Sequence, residues 1–227
     1  MIALGDRRIQ GEYGSILGAG SLIIADSQVR SVTCAGSMQV TRSIIGKLSC
    51  VGASEMENAE VDHLKATGEA NFKGVCKGNI IAISGWLSAD YLECNILKNG
   101  LYRGSDKKYR ASALSGSIKA ETLENYLPMM LNFDYNFQNI ISFAQISSKD
   151  EIACENFYGF QGVSAPEVNA ENIFILTTEE VSVNQLAGSR VTINSEFIPD
   201  KLYKSLPKTM ANRKMQGYKK IISISSI

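Results

Sequence analysis

Hydrophobic and polar residues alternate along this chain in short runs, Leu22 and Ile24 in one, Val32 and Cys34 in the next, with polar residues between them. A period of two marks strands that bury one face. Each run is soon cut by a glycine, an Asp-Ser or an Ala-Asn break, and the breaks recur. Lines opened at Gly20, Gly36, Gly52, Gly68 and Gly85, and carried on to Gly100 and Gly116, advance by about 16 residues. The columns below the glycines also match. Four residues on stand Ile24, Val40, Met56 and Phe72, and nine on stand Val29, Ile45 and Val61. Twelve on stand Val32, Leu48, Leu64, Ile80 and Leu97, followed two later by the small residues Cys34, Cys50, Ala66 and Ala82.

Strands this short have almost no core of their own. Stacking supplies one: if each residue lies over its counterpart in the next line, at the ordinary strand spacing of about 4.8 Å, like side chains form ladders inside a tube. A glycine at each corner gives the backbone freedom for the turn. The pattern therefore predicts an all-β fold, a right-handed parallel β-helix (β-solenoid) with rungs of about 16–17 residues. Helical repeats need about 33–45 residues to hold a helix pair. The six-residue beat of a left-handed hexapeptide helix is not found.

The organisation read from the sequence is a lead-in over 1–19, a β-helix over 20–195, and a basic linker with a terminal strand over 196–227. Leu101 to Arg110 turns polar and basic, as a corner loop would. Residues 121–150 are the least repetitive, and widened rungs with an excursion are predicted there in preference to a short helix at Ala120–Tyr126. The beat returns after Asp150, where Ala153, Ala170 and Ala187 align and the coil is carried to about Asn194.

Apolar residues make up 44% of the 227, enough for a core, and 23 basic residues balance 23 acidic ones, so net charge points to no nucleic-acid partner. No apolar run reaches the about 18 residues of a membrane span. The start lacks the apolar stretch and cleavage site of a secretory signal, and five irregularly spaced cysteines suit a reducing compartment. A cytoplasmic location is expected, with peripheral contact at the inner face of the membrane as an extension.

Candidate chemistry is sparse. His63 is the single histidine and has no second imidazole or carboxylate at metal-ligand spacing, so neither a metal site nor a catalytic role is assigned to it. Gly18-Ala19-Gly20 lacks the third glycine of a dinucleotide fingerprint and opens no helix. Cys34 and Cys50 fall one rung apart, within disulfide reach, but read as small core residues. Glu55, Glu57, Glu60 and Asp62 form an acidic rung; in a surface groove such acids would suit polysaccharide chemistry, on a plain face they are solvated. Lys201, Lys204, Lys208, Arg213, Lys214, Lys219 and Lys220 form a basic stretch without acids, suited to an anionic partner or to a solvated linker. No catalytic, cofactor or metal residue is assigned.

The rungs Cys34-Ala-Gly36-Ser-Met-Gln-Val40 and Leu64-Lys-Ala-Thr-Gly68-Glu-Ala-Asn-Phe-Lys-Gly74 resemble those of the bactofilins, polymer-forming bacterial cytoskeletal proteins, and Ala170-Glu-Asn-Ile-Phe-Ile-Leu176 resembles later rungs of their firmicute branch. The resemblance covers roughly 14–194. It implies a β-helix that associates end to end with itself, and with related bactofilins, into filaments needing neither nucleotide nor metal. It implies a scaffold for shape, envelope synthesis or motility, with contact to membrane or envelope proteins. This coil is longer than the family's core, lacks the proline-rich tails and breaks its beat at 121–150. Two other roles stay open: a carbohydrate-active or carbohydrate-binding β-helix, and a non-polymerising adaptor using the basic segment.

Overall fold

The computed structural model describes residues 1–100, 113–131, 134–177 and 181–193. They contain strands and no helix. In chain order these are β1 (Ile2–Leu4), β2 (Arg7–Thr41), β3 (Ile44–Glu57), β4 (Glu60–Asn99), β5 (Ala113–Asn125) and β6 (Met129–Leu131). Then come β7 (Tyr135–Ser142), β8 (Ile146–Ser148), β9 (Ile152–Gly159), β10 (Val163–Ile175), β11 (Val181–Ala187) and β12 (Arg190–Ile193). Every pairing between them is parallel, and the coil is a β-solenoid of about 10 turns.

Rungs stack as the ladders require. Val40 lies over Met56 and Met56 over Phe72, Val29 over Ile45 and Ile45 over Val61, and Val32, Leu48 and Leu64 follow one another. All of these side chains, with Ile24 and Leu97, are buried. Unequal side chains compensate within a rung: Phe72 is bulky where Ala70 beside it is small, and Phe157 crowds the space a Cβ on Gly159 would need, 3.2 Å from its ring.

Two kinds of corner bend each rung. At Gly20, Gly36, Gly52, Gly68 and Gly85, φ lies between 109° and 148°. From Gly36 on, a Cβ at each would strike the carbonyl oxygen of the glycine one rung before. Glycine is thus demanded twice, by backbone conformation and by backbone-on-backbone contact. The second corner places Asp26, Arg42, Asn58 and Gly74 at φ 45–63°. Here Ser27 accepts from the Gly11 amide at 3.1 Å, and Ser43 from the Ser27 amide at 3.1 Å. Those hydroxyls satisfy amides that the bend takes out of the ladder.

Several sequence assignments need correction. Ile80 does not belong to the Val32–Leu48–Leu64 ladder; it is half-buried, and Ile81, at 0% exposure, takes the place. The cause is one extra residue, Val75, which bulges into solvent after the corner at Gly74, its amide held by the Asn58 side chain at 3.1 Å. Ile83 rather than Ala82 consequently follows the Cys34–Cys50–Ala66 column. Gly100 and Gly116 are not in the glycine column: Gly116 stacks on Ala89, and Gly100 lies against Leu127 and Tyr126. Ala153 pairs with Asn169 and Asn169 with Ala187, while Ala170 pairs with Cys154, so Ala170 stands one residue out of the column that the other two alanines share.

Residues 1–19 are not a lead-in but coil, since β1 pairs with Leu17–Ala19. Nor do the described residues of 121–150 leave it: β5 pairs with β7, and β6 with β8, each in one register. The beat is broken earlier. Side-chain partners across β4 and β5 are 26 residues apart instead of 16 or 17, and the surplus falls between Asn99 and Ala113. The corner loop at 101–110 and everything from 194 on, including the basic stretch and the terminal strand, lie outside the described residues.

Candidate functional site

The chemistry-bearing side chains stand on the outer faces, where each rung offers its alternate residues to solvent. His63 is on such a face, its Nδ1 2.8 Å from Oδ2 of Asp62. Asp62 also accepts from Asn79 at 3.0 Å, and Asn79 in turn accepts from Asn95 at 3.0 Å. The Asn79 amide and then His63 hold the Asp62 carboxyl below the usual carboxylate range. Glu55 accepts from Gln39 at 3.1 Å and pairs with Lys73 at 2.8 Å. Asp26 receives both Nε and a terminal nitrogen of Arg42, at 2.8 and 2.9 Å, which lowers its pKa, and Glu93 is lowered likewise by Lys119 at 2.8 Å. These carboxylates are each tied to a neighbour one rung away or beside them. They do not converge on a shared point where a reacting atom would sit.

Cys34 and Cys50 are rung neighbours, as their column predicts, and both are buried free thiols. Burial pushes Cys50 up to about 11 and Cys94 and Cys154 each up to about 12, so none is a ready thiolate. Among the described residues no group of three or more His, Cys, Asp or Glu is placed to hold a metal ion. No helix among them is long and apolar enough to cross a membrane.

Sequence reading missed a polar ladder in the core. Asn99, Asn125 and Ser142 occupy one inward column at 0% exposure. Asn99 donates to Oδ1 of Asn125 at 2.7 Å, Asn125 to the Ser142 hydroxyl at 2.8 Å, and that hydroxyl to the Ala144 carbonyl at 2.7 Å. The signal was an Asn at the strand end two residues after the Leu97 and Leu123 positions. An outer ladder runs parallel, Asn172 donating to Asn156 and Asn156 to Asn139, each at 2.7 Å. Beyond the inner column a second apolar cluster stacks Tyr126 on Phe143 at 5.1 Å and Phe143 on Phe160 at 5.3 Å, with Phe174 and Leu176 beside them.

One groove on the outer face, of about 540 Å³, runs along Gly14 and Gly46 and is lined by Glu12, Gln28, Arg30 and Ile44. The remaining surfaces of interest are the two ends of the described coil, and they differ. In the first turn the inward Ala3, Ile9 and Ile16 are only 2–3% exposed and Tyr13 is partly buried against the core, while Met1, Ile2, Leu4 and Leu17 are 54–71% exposed. In the last described turn Val181, Val183 and Leu186 are only partly buried. Val191, which continues the column through Ile173, is 43% exposed.

No protein-family model matches this chain, and neither the curated proteins nor the solved structures searched contain a match.

Proposed function

We propose that this chain is a non-enzymatic scaffold, a self-associating β-solenoid of the bactofilin kind that works in the cytoplasm and assembles without nucleotide. The observation carrying this reading is the half-covered apolar rung of β11 and β12, which pair only with β10 among the described residues. A strand edge with apolar inward residues is a template for further stacking. A second copy placed there would continue columns that are fully buried in the preceding rungs. Proteins built this way remain single only when both ends are capped. The outward acids favour a structural surface over carbohydrate chemistry, because their charges are spent on one another's neighbours.

The partners proposed are further copies of the chain and related bactofilins, with peripheral membrane or envelope contact through the basic 201–220 stretch. Sedimentation and negative-stain electron microscopy of the purified chain, without nucleotide, test the reading: assemblies support it, and a monomer at tens of micromolar refutes it. The groove beside Arg30 favours one second reading, a carbohydrate-binding coil. Saturable binding of an oligosaccharide that is lost in Arg30→Ala would establish that one instead.

A further inference from the structure

We propose that one outer face of the first rungs seats a second copy of this chain, so that coils pair side by side. This goes beyond the end-to-end reading and does not depend on it. The residues flanking the inward Ala3, Gly18, Cys34 and Cys50 point outward in two columns. One runs through Ile2, Leu17, Thr33 and Ser49, the other through Leu4, Ala19, Ala35 and Val51. Inside β2 the step from one rung to the next is fixed on either side of them, by the Ser31–Ser15 hydroxyl bond at 2.9 Å and by Gly36 over Gly20. Neither column holds a charge before Lys65 in the following rung. Ile2 is 71% exposed, Leu4 66%, Val51 56% and Leu17 54%, and Ala19, Thr33 and Ala35 are exposed with them.

These side chains expose on the order of 500 Å², the size at which an apolar patch marks an interaction surface, and the polar residues at the margin bring the face toward the about 800 Å² per partner of a standard interface. A second coil suits the face for two reasons. Its rungs repeat at the same spacing of about 4.8 Å, so rows stay in step along the whole contact. Turned about an axis parallel to the coil, the copy also sets each rung over its counterpart with the strands reversed, and the two columns exchange places. Leu17 then lies over Ala19 and Ile2 over Leu4, so the bulk of one copy enters the hollow of the other. A turn about the strand direction would instead put Leu17 over Thr33 and leave a gap between Ala19 and Ala35. Lipid is the poorer occupant, because these columns carry no aromatic ring and, before Lys65, no cation to hold them at a headgroup layer. The contact is isologous and closes as a pair of parallel coils.

The test uses the full chain as parent, as Leu17→Lys, and as Leu17→Lys with Ala19→Glu, read by sedimentation equilibrium and negative-stain images. Circular dichroism and urea midpoints establish that each is folded. The parent is expected to form particles twice as wide as a single coil, whatever their length. Leu17→Lys should raise the pairing concentration about tenfold or more, and adding Ala19→Glu should bring it back to within about threefold through charge pairs across the axis. Thr33→Cys should crosslink through a short bis-maleimide. Ser37→Cys, exposed on the adjoining face past Gly36, should stay at the background set by Cys154, the one native thiol that is not buried. A folded Leu17→Lys chain that pairs as the parent does overturns the inference, as does equal crosslinking at the two positions. So does a monomeric parent: if Leu17→Lys then lowers the urea midpoint, a segment of the same chain occupies the face, and if it abolishes cosedimentation with phosphatidylcholine vesicles, lipid does. Particles longer than one coil but no wider uphold the scaffold reading while this inference fails; particles wider but no longer do the reverse.

Discussion

Replacing Gly52 by alanine tests the corner stack directly. Gly52 has φ 131°, and an added Cβ would meet the carbonyl oxygen of Gly36, which belongs to backbone and cannot swing aside. The conformation alone costs about 1–3 kcal/mol for a residue with a side chain. Relieving the clash means parting two rungs and weakening a ladder hydrogen bond worth about 1 kcal/mol. The expected loss is therefore about 2–4 kcal/mol, a large part of the ~5–15 kcal/mol that holds a typical domain. Gly14→Ala is the control: its φ is not positive and nothing lies within 4 Å of the added carbon, so its stability should stay within about 0.5 kcal/mol or rise through loss of unfolded-state entropy. Urea unfolding followed by circular dichroism reads both. With a slope of about 3 kcal/mol/M, the Gly52→Ala midpoint should fall by about 1 M. Equal midpoints for the two variants would show that the corner does not need glycine, and the stacking account would fail.

Asn125→Ala removes both the acceptor of Asn99 and the donor to Ser142 in a column at 0% exposure, and should cost about 2–4 kcal/mol, against less than about 0.5 kcal/mol for Asn172→Ala on the outer ladder; similar losses would refute the inner ladder's role. Asp26, Asp62 and Glu93 have folded pKa values lowered by Arg42, by Asn79 and His63, and by Lys119 respectively. Their contribution is present above the unfolded value of about 4 and is lost as pH falls through the folded values, so urea midpoints should drop between pH 7 and pH 3, less so in Asp26→Asn; an unchanged midpoint contradicts this. Cys50, Cys94 and Cys154 are raised to about 11, 12 and 12. Above about pH 9 the unfolded chain loses thiol protons that the folded one keeps, so stability should decline there, and native alkylation of the buried Cys50 and Cys94 by iodoacetamide should be slow; rapid labelling of those two at pH 8 would contradict their burial.

Much of the coil is legible in the sequence because each rung repeats the last with little change. From Gly20 to Phe72 the spacing is constant, so glycines, Val40, Met56 and Leu48 announce their columns without help. Legibility fails where a residue is added and the sequence does not mark where. Val75 shifts the inward positions of the next rung by one, and since Ile80 and Ile81 are both isoleucine, the alternation alone cannot choose between them. Gly100 misleads for a related reason: its positive φ is genuine, but it serves a different bend, beside Leu127. The buried asparagines were hidden because a polar residue at a strand end reads as a turn. Only the stacking of Asn99 on Asn125 and Ser142 shows that each side chain finds its partner in the next rung rather than in water. The chemistry of the exterior was legible in a negative sense, as scattered acids and one histidine, and the structure adds their partners: Arg42 for Asp26, Asn79 and His63 for Asp62, Lys73 for Glu55 and Lys119 for Glu93.

The scaffold proposal makes the coil a unit of assembly. Sedimentation equilibrium of the purified full chain, without nucleotide and at low and moderate salt, with negative-stain images of the same samples, tests it most directly. Each coil should measure about 50 Å along its axis, from about 10 turns at about 4.8 Å. The account predicts association into particles longer than a single coil, insensitive to nucleotide. A chain that stays monomeric at tens of micromolar in both salts would contradict it.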